Sequence, residues 1–329
     1  MKTVAVIIHW GPPDPTIELA TRLDGSVHVD QVTVVANDRS ERPGGLAPGV
    51  SWLVPSRDLG FGGGFRHAAE AFPSASAYLL VDNDVWIDDT AIAACLDLLA
   101  GTNIGVVAPT LVGNTGVRSA AARRTRFLVA PTVLGHAPVD RPSEAHWVAG
   151  AVMFIKAACH RRVPMDGRYF LGFEDVDFCH RARNAGWSVV ISPALAWHGG
   201  RDTVPPARYG YYEIRNRLWF TRVRHWPVRT TLVALWTAVI TLPRTVVLDL
   251  FRRRGTAVST LVLHGLVDGL GSLPPSGDPR PDEPRVIRWT AEGWMTEGMS
   301  GASRVSGLPR SRTGEQGPRP RAGKARRLD

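Results

Sequence analysis

The 329-residue chain is poor in the features that mark whole classes of protein. Its three cysteines, Cys95, Cys159 and Cys179, are too few and too scattered for a disulfide framework or a zinc cluster. A reducing, cytoplasmic setting is the expectation. The opening MKTVAVIIHWG has one lysine and a short apolar run stopped by Gly11-Pro12-Pro13. It lacks the longer apolar region and cleavage site of a signal peptide, so the run reads as a first β-strand. No GK[ST] follows a glycine loop, which excludes a P-loop, and Gly60-Phe61-Gly62-Gly63-Gly64 fails G-x-G-x-x-G because Phe65 takes the last place. A dinucleotide-binding dehydrogenase is therefore disfavoured. The apolar run TLVALWTAVITL (231–242) has 12 residues and meets Pro243-Arg244, short of the roughly 20 that span a bilayer. There is no internal repeat.

Apolar residues make up 44 % of the chain and charged residues 21 %, which excludes wholesale disorder and an all-membrane protein. The net charge, 39 − 30 = +9, calls for an anionic partner or surface. Residues 1–110 alternate β-rich runs, VAVIIHW, VTVVAND, SWLVPS and YLLVDND, with the helix-like stretches PTIELATRLDG and FRHAAEAF. Such alternation predicts an α/β fold with a mostly parallel central sheet and helices on both faces. Ligands bind beyond the carboxyl ends of such strands, which singles out Asn37, Asp38, Asp82 and Asp84.

Residues 111–226 alternate less regularly: WVAGAVMFIK (147–156) reads as a buried strand, EDVDFCHRARNAG (174–186) as a helix, and WSVVISP (187–193) as a strand stopped by proline. Residues 227–271 read as apolar helices broken at Pro243. From Arg201 to Thr256 there are eleven Arg and three acidic residues, 11 − 3 = +8, so these helices either lie on an anionic membrane surface or form core helices with an Arg-rich solvent face. Residues 272–329, rich in Pro, Gly, Ser and Arg, read as a disordered basic tail. The positive charge clusters late in the chain rather than along a recognition helix, so no nucleic-acid partner is expected.

Several clusters carry chemistry. Asp82-Asn83-Asp84 closes an apolar strand, and carboxylates at i and i+2 can face a divalent cation with a ligand's phosphates, although turns use Asp and Asn as well. Glu174-Asp175-Val176-Asp177 opens a helix, where acidic residues suit the helix dipole or place a base at a pocket edge. Asp177 fits pairing with Arg181 one turn on. His198, in SPALAWHGG, is a turn residue or a third ligand beside the D-x-D pair. The glycines at 60–64 before Arg66 suit close approach of an anion to a helix N-terminus, or a simple flexible turn.

Taken in order, N-D-R-S (37–40), DLGFGGGFRHA (58–68), LLVDNDVWID (79–88), WVAGAVMFIK and RYFLGFEDVDFCHRARNAGWSVVISPALAWHGG (168–200) resemble the family-2 glycosyltransferases of GT-A fold. The likeness is greatest to their rhamnosyltransferase-like branch and covers about residues 3 to 226, including RYGYYEIRNRLWFTRVRHWP (208–227). The resemblance implies an inverting, metal-dependent transfer of a sugar, such as L-rhamnose, from a dTDP- or UDP-linked donor to an acceptor hydroxyl. It implies Mg²⁺ or Mn²⁺ on Asp82 and Asp84 with His198 completing the site, and an acceptor-activating base at Asp175 supported by Glu174. His9, Asn37, Asp38, Asp58, Gly60, Gly62, Gly63, Arg66, Asp82 and Asn83 would line the nucleotide-sugar pocket. The chain departs from the family's pattern at Asn37-Asp38, where the two residues are exchanged, at His9-Trp10, and at Asp58, Phe65 and Arg66. The acceptor would be a glycan, a lipid-linked sugar or a natural product, reached from the cytoplasm or from the inner face of the membrane. The rival readings are a nucleotidyltransferase, disfavoured because VAVIIHWGPPDP lacks a basic glycine-rich loop, and a non-catalytic basic protein that binds membranes or nucleic acid.

Overall fold

A computed structural model of the chain describes residues 1–113, 116–119, 121–125, 127–129, 131–134, 140–198, 206–251 and 257–272. The expected disordered tail lies outside the described residues from 273 onward. In chain order the first half runs β1 (Thr3–His9), α1 (Asp14–Asp24), β2 (Gln31–Ala36), β3 (Ser51–Leu53), α2 (Gly60–Ala71), β4 (Ala77–Asp82), β5 (Val85–Ile87) and α3 (Asp89–Leu99). Next come β6 (Ile104–Gly113), β7 (Gly116–Ser119), β8 (Ala121–Arg124), β9 (Pro131–Leu134), β10 (Ser143–Glu144), β11 (Val152–Lys156) and α4 (Ala157–Arg162). The rest is α5 (Glu174–Asn184), β12 (Ser188–His198), α6 (Pro206–Arg222), α7 (Pro227–Trp236), α8 (Leu242–Phe251) and α9 (Ala257–Leu270).

The central sheet has the order β10-β12-β6-β11-β4-β1-β2-β3. Strands β3, β2, β1 and β4 are mutually parallel, β11 runs antiparallel between β4 and β6, and β6 and β12 are parallel again. Successive side chains point to opposite faces, and both faces are covered. Val4 and Val6 of β1 enter one core with Phe65 of α2 and Phe178 of α5. Ala5 and Ile7 enter the other with Leu19 of α1 and Ile92 of α3. Tyr78 and Leu80 against Leu79 and Val81 repeat this alternation in β4. Each such side chain contributes about 1.5–3 kcal/mol of burial, which is why these strands read as unbroken apolar runs.

Several boundaries differ from the sequence pattern, and the run 147–156 becomes a strand only from Val152. Helix α2 starts at Gly60, so the glycine run lies inside the helix rather than in a loop before it. Strand β12 continues through Pro193 to His198, because the proline sits where the register with β6 shifts between Ser192 and Leu195 and no ladder bond is required of it. Pro243 does not break the apolar zone either. A π-helical turn, Thr237–Thr241, precedes it and joins α7 to α8 in one helix, Pro227–Phe251. A wider turn removes the need for the hydrogen bond that proline cannot donate.

The parallel strands β1, β2 and β4 finish on one edge of the sheet, at His9, Ala36 and Asp82.

Candidate active site

Asp82 is the last residue of β4, and Asp84 follows in the turn to β5. Strand β5 pairs antiparallel with the end of β12, setting Val85 opposite His198. That register carries an imidazole from more than a hundred residues downstream to the acidic turn, where His198 Nε2 lies 3.1 Å from Asp84 Oδ1. One ligand atom from each of Asp82, Asp84 and His198 lies within 4.8 Å of the others, a donor set suited to a divalent cation.

The second half of the site hangs on residues 149–151. Asp82 N donates to Ala151 O at 2.9 Å, and Gly150 N donates to Asp175 Oδ2 at 2.9 Å. Adjacent residues of one turn therefore tie the carboxylate-bearing residues of the β4 end and the α5 start to one segment. Asp175 Oδ1 also accepts from Val176 N at 2.7 Å. Burial raises the Asp175 carboxyl to about 6, against the opposing pull of these backbone donors. Burial, then the charges of Asp84 and Asp175, raise Asp82 to about 7, with His198 pulling the other way. Glu174, buried in the first turn of α5, is held well above the ordinary carboxylate range by burial and then by Asp175, and its Oε2 has no hydrogen-bond partner among the described residues. Buried carboxylates gathered this closely, with Asp84 and Asp175 raising Asp82 and Asp175 raising Glu174, suit the approach of a cation.

Asp177 behaves oppositely. Burial would raise it, but Arg181 and Arg224 together hold it below its usual value, and Tyr169 Oη also donates to it at 3.0 Å. Its Oδ2 accepts from Arg181 Nε at 2.6 Å, the pairing expected from the i, i+4 spacing. Asp177 thus anchors α5.

The remaining expected pocket residues divide. His9 is buried at the end of β1, with Nδ1 2.7 Å from Thr16 Oγ1, Nε2 3.5 Å from Asp38, and its ring centroid 5.1 Å from that of Trp52. Asp38 accepts from Gly11 N at 3.0 Å and from Ser40, and these contacts outweigh burial to lower its pKa. Asn83 donates to Thr16 Oγ1 at 3.1 Å. Asn37 is committed elsewhere: its amide donates to Gly60 O at 2.8 Å and fastens β2 to the start of α2. Asp58 likewise accepts from Gly60 N at 2.8 Å.

The glycines of α2 pack against neighbouring backbone and side chains, and Arg66 is partly exposed. Gly60 has φ +66, and a Cβ there would fall 2.2 Å from Phe170 O. Gly62 packs on Met165 and Glu174, and Gly63 on Leu59 and Gly167. These glycines let α2 sit directly against the segment that delivers Glu174 and Asp175. Arg66 forms a surface pair with Glu70 at 2.8 Å.

Residues that the sequence pattern did not single out complete the frame. Thr16 joins His9 to Asn83. Asn216 Nδ2 lies 2.9 Å from Tyr169 O, 2.9 Å from Leu171 O and 2.6 Å from Gly172 O, while Arg215 Nη2 donates to Tyr169 O at 2.7 Å. The clamped loop carries positive φ at Phe170 (65°) and Phe173 (73°), a strained path that ends at Glu174. Two neighbouring polar side chains, Arg215 and Asn216, in the aromatic stretch of α6 are the only local signal of this clamp.

No protein-family model and no curated protein matches the sequence. Among solved structures, the chain superposes on the crystal structure of GalNAc-T7 with UDP, GalNAc and Mn²⁺ at a TM-score of 0.52 and 10 % identity, covering 74 % of this chain and 57 % of that one. It also superposes on S. aureus TarS 1-349 in complex with UDP-GlcNAc at a TM-score of 0.52 and 12 % identity, covering 83 % and 82 %. The fold is GT-A. At these identities the likeness establishes the GT-A architecture, and the chain spans little more than half of the GalNAc-T7 chain, 57 %. Within the GT-A frame the acidic turn and His198 meet at the strand ends, and the Gly150-Ala151 turn links them to the start of α5.

Proposed function

We propose that the protein is an inverting glycosyltransferase that moves a sugar from a nucleoside diphosphate donor to an acceptor hydroxyl. The carrying observation is the convergence of Asp82, Asp84 and His198 on one point, with Asp175 close enough for its charge to act on Asp82. The neighbouring GT-A structures, crystallised with UDP and UDP-GlcNAc, support a nucleotide-sugar donor. A dTDP-deoxysugar such as dTDP-L-rhamnose rests on the sequence resemblance.

Mg²⁺ or Mn²⁺ fits the residues present. Two carboxylates and an imidazole would supply its donors, and the buried Glu174 Oε2 nearby has no hydrogen-bond partner among the described residues. When bound, such an ion neutralises charge developing on the departing diphosphate. Asp82, Asp84 and His198 fix the diphosphate end of the donor, and Asp38 and the His9–Thr16–Asn83 chain shape the nucleoside end. Asp175, held rigidly by Gly150 N and Val176 N, takes the acceptor's proton. The acceptor oxygen bonds to the anomeric carbon while the anomeric C–O bond to diphosphate breaks, its electron pair leaving with the diphosphate. Attack from the side opposite the leaving group inverts the anomeric centre.

The test is a panel of UDP- and dTDP-sugars with Mn²⁺, read as release of nucleoside diphosphate with simple alcohols and glycans as acceptors. The reading expects one donor class to be turned over. Turnover of a nucleoside triphosphate with pyrophosphate release, and of no sugar donor, would overturn it in favour of nucleotidyl transfer.

A further inference from the structure

Helices α7 and α8 make one continuous 25-residue helix, Pro227–Phe251, of which only 11 % of the most apolar window is buried. At 1.5 Å per residue it is about 37 Å long. Its inner stripe is short and fixed at both ends. Val233 packs with Ile214 and Leu218 of α6 and Val262 of α9, Thr230 Oγ1 bonds Thr221 Oγ1 at 2.9 Å, and Asp249 accepts from Ser259 N at 2.8 Å. The opposite side presents Leu235, Trp236, Val239, Val247, Leu250 and Phe251 to solvent, the last 84 % exposed. On α9, Leu263 and Val267 are exposed as well. A face of this length and about 10 Å wide reaches the size of the largest apolar patches on ordinary monomers before α9 is added.

Charge decides what covers it. The only acidic residue of the helix, Asp249, is turned inward, whereas Arg244 is exposed and Arg229 lies over the Trp226 ring, 4.2 Å from its centroid. The sequence around the helix carries the local excess of +8 between residues 201 and 256, 11 − 3. A second copy would bring like charges together. A surface of anionic headgroups over acyl chains complements both properties. We propose that this face seats the protein in the plane of an anionic phospholipid bilayer, with Pro227–Phe251 lying along the headgroup–acyl boundary. Crossing is disfavoured because both ends of the helix are tied to α6 and α9, which carry buried polar groups such as Arg215 and Asn216. The inference does not depend on the glycosyl-transfer reading, since its test involves no catalysis.

The three native cysteines are buried, so an introduced surface cysteine can be labelled selectively with an environment-sensitive fluorophore. The full chain carrying Val239→Cys is compared with Val27→Cys, whose site is 86 % exposed before β2. Vesicles contain phosphatidylcholine and phosphatidylglycerol at roughly three to one, with pure phosphatidylcholine as control. The label at position 239 should shift to the blue and be quenched by a lipid-borne quencher on the anionic vesicles, and the label at position 27 should not respond. At about 1 M salt, where the screening length falls to about 3 Å, the response at 239 should weaken without vanishing, since the apolar face still inserts once purely electrostatic attachment of the basic tail is lost. Leu235→Ser combined with Leu250→Ser should weaken partitioning on the order of a hundredfold. The proposal is overturned if position 239 still reports water while the chain sediments with vesicles. It is equally overturned if the label is already shielded without lipid and becomes exposed on dilution, which would mark a second copy as the occupant.

Discussion

Replacing Asp175 by Asn removes one charge and almost no volume, so it isolates the role assigned to that carboxylate. In the wild type, burial places the Asp175 carboxyl near 6, so at pH 7 roughly nine molecules in ten hold it ionised. Below pH 6 the rate should fall about tenfold per pH unit as the base is protonated, with a plateau above neutrality. Asn cannot accept the acceptor's proton. It can still accept from either Gly150 N or Val176 N, leaving one of these donors unsatisfied at a cost of about 1–3 kcal/mol in stability. Loss of a general base lowers the chemical step by about 10²–10⁴-fold. Steady-state transfer across pH 5–8, together with donor affinity by calorimetry, separates the two effects. The account expects Asp175→Asn to lose rate across the whole pH range while binding donor within about threefold of wild type. A variant within tenfold of wild type would refute the base assignment.

Other perturbations test the frame around the site. Asp177→Asn leaves Arg181 and Arg224 without their buried counterion, and unfolding by urea should show a loss of about 3–5 kcal/mol; under 1 kcal/mol would contradict the anchoring role of this pair. Asn216→Leu should lower kcat and cost at least about 1–3 kcal/mol of stability, because buried carbonyls of Leu171 and Gly172 lose their donor; rescue by Gln would argue against the clamp, since a longer amide cannot reach the Tyr169, Leu171 and Gly172 carbonyls in the same geometry. His160 is buried among Phe65, Tyr78 and Phe178, and burial lowers its pKa to about 4. The unfolded chain protonates this group near 6.5 and the native state does not until about 4, so its contribution to stability falls as pH drops through that window. The cost is fully developed below about 4, where (6.5 − 4) × 1.36 gives about 3 kcal/mol. His160→Phe should flatten the acid side of the stability–pH curve by that amount, and an unchanged curve would show that His160 is not buried neutral.

Much of this was legible because the sheet is covered on both faces. Continuous apolar runs ending in Asn, Asp or His gave the strands of the first half and the edge where they finish, and Asp82 and Asp84 could be placed there from pattern alone. The E-D-V-D start of α5 was equally plain, since acidic residues in a first turn mark a helix N-terminus. What escaped depended on contacts between distant segments. Whether glycines at 60–64 face an anion or a neighbouring backbone depends on where the 165–174 loop lies, and that loop is held by Asn216 from α6. The turn at Gly150-Ala151, which brings Asp82 and Asp175 together, reads locally as the start of a buried strand. Pro193 and Pro243 misled because a bulge and a π turn absorb a proline without altering the hydrophobic pattern around it. Thr16, one hydroxyl in the first turn of α1, has no local signature for its contacts with His9 and Asn83.

The claim on which the rest depends is that Asp82, Asp84 and His198 bind one divalent cation against a diphosphate. Calorimetric titration of UDP and of dTDP into the protein, with Mn²⁺ and then with excess chelator, tests it most directly. The account predicts binding of at least one nucleotide that requires the ion and weakens by at least about tenfold in Asp84→Ala. Equal affinity with chelator present, or in Asp84→Ala, would contradict it.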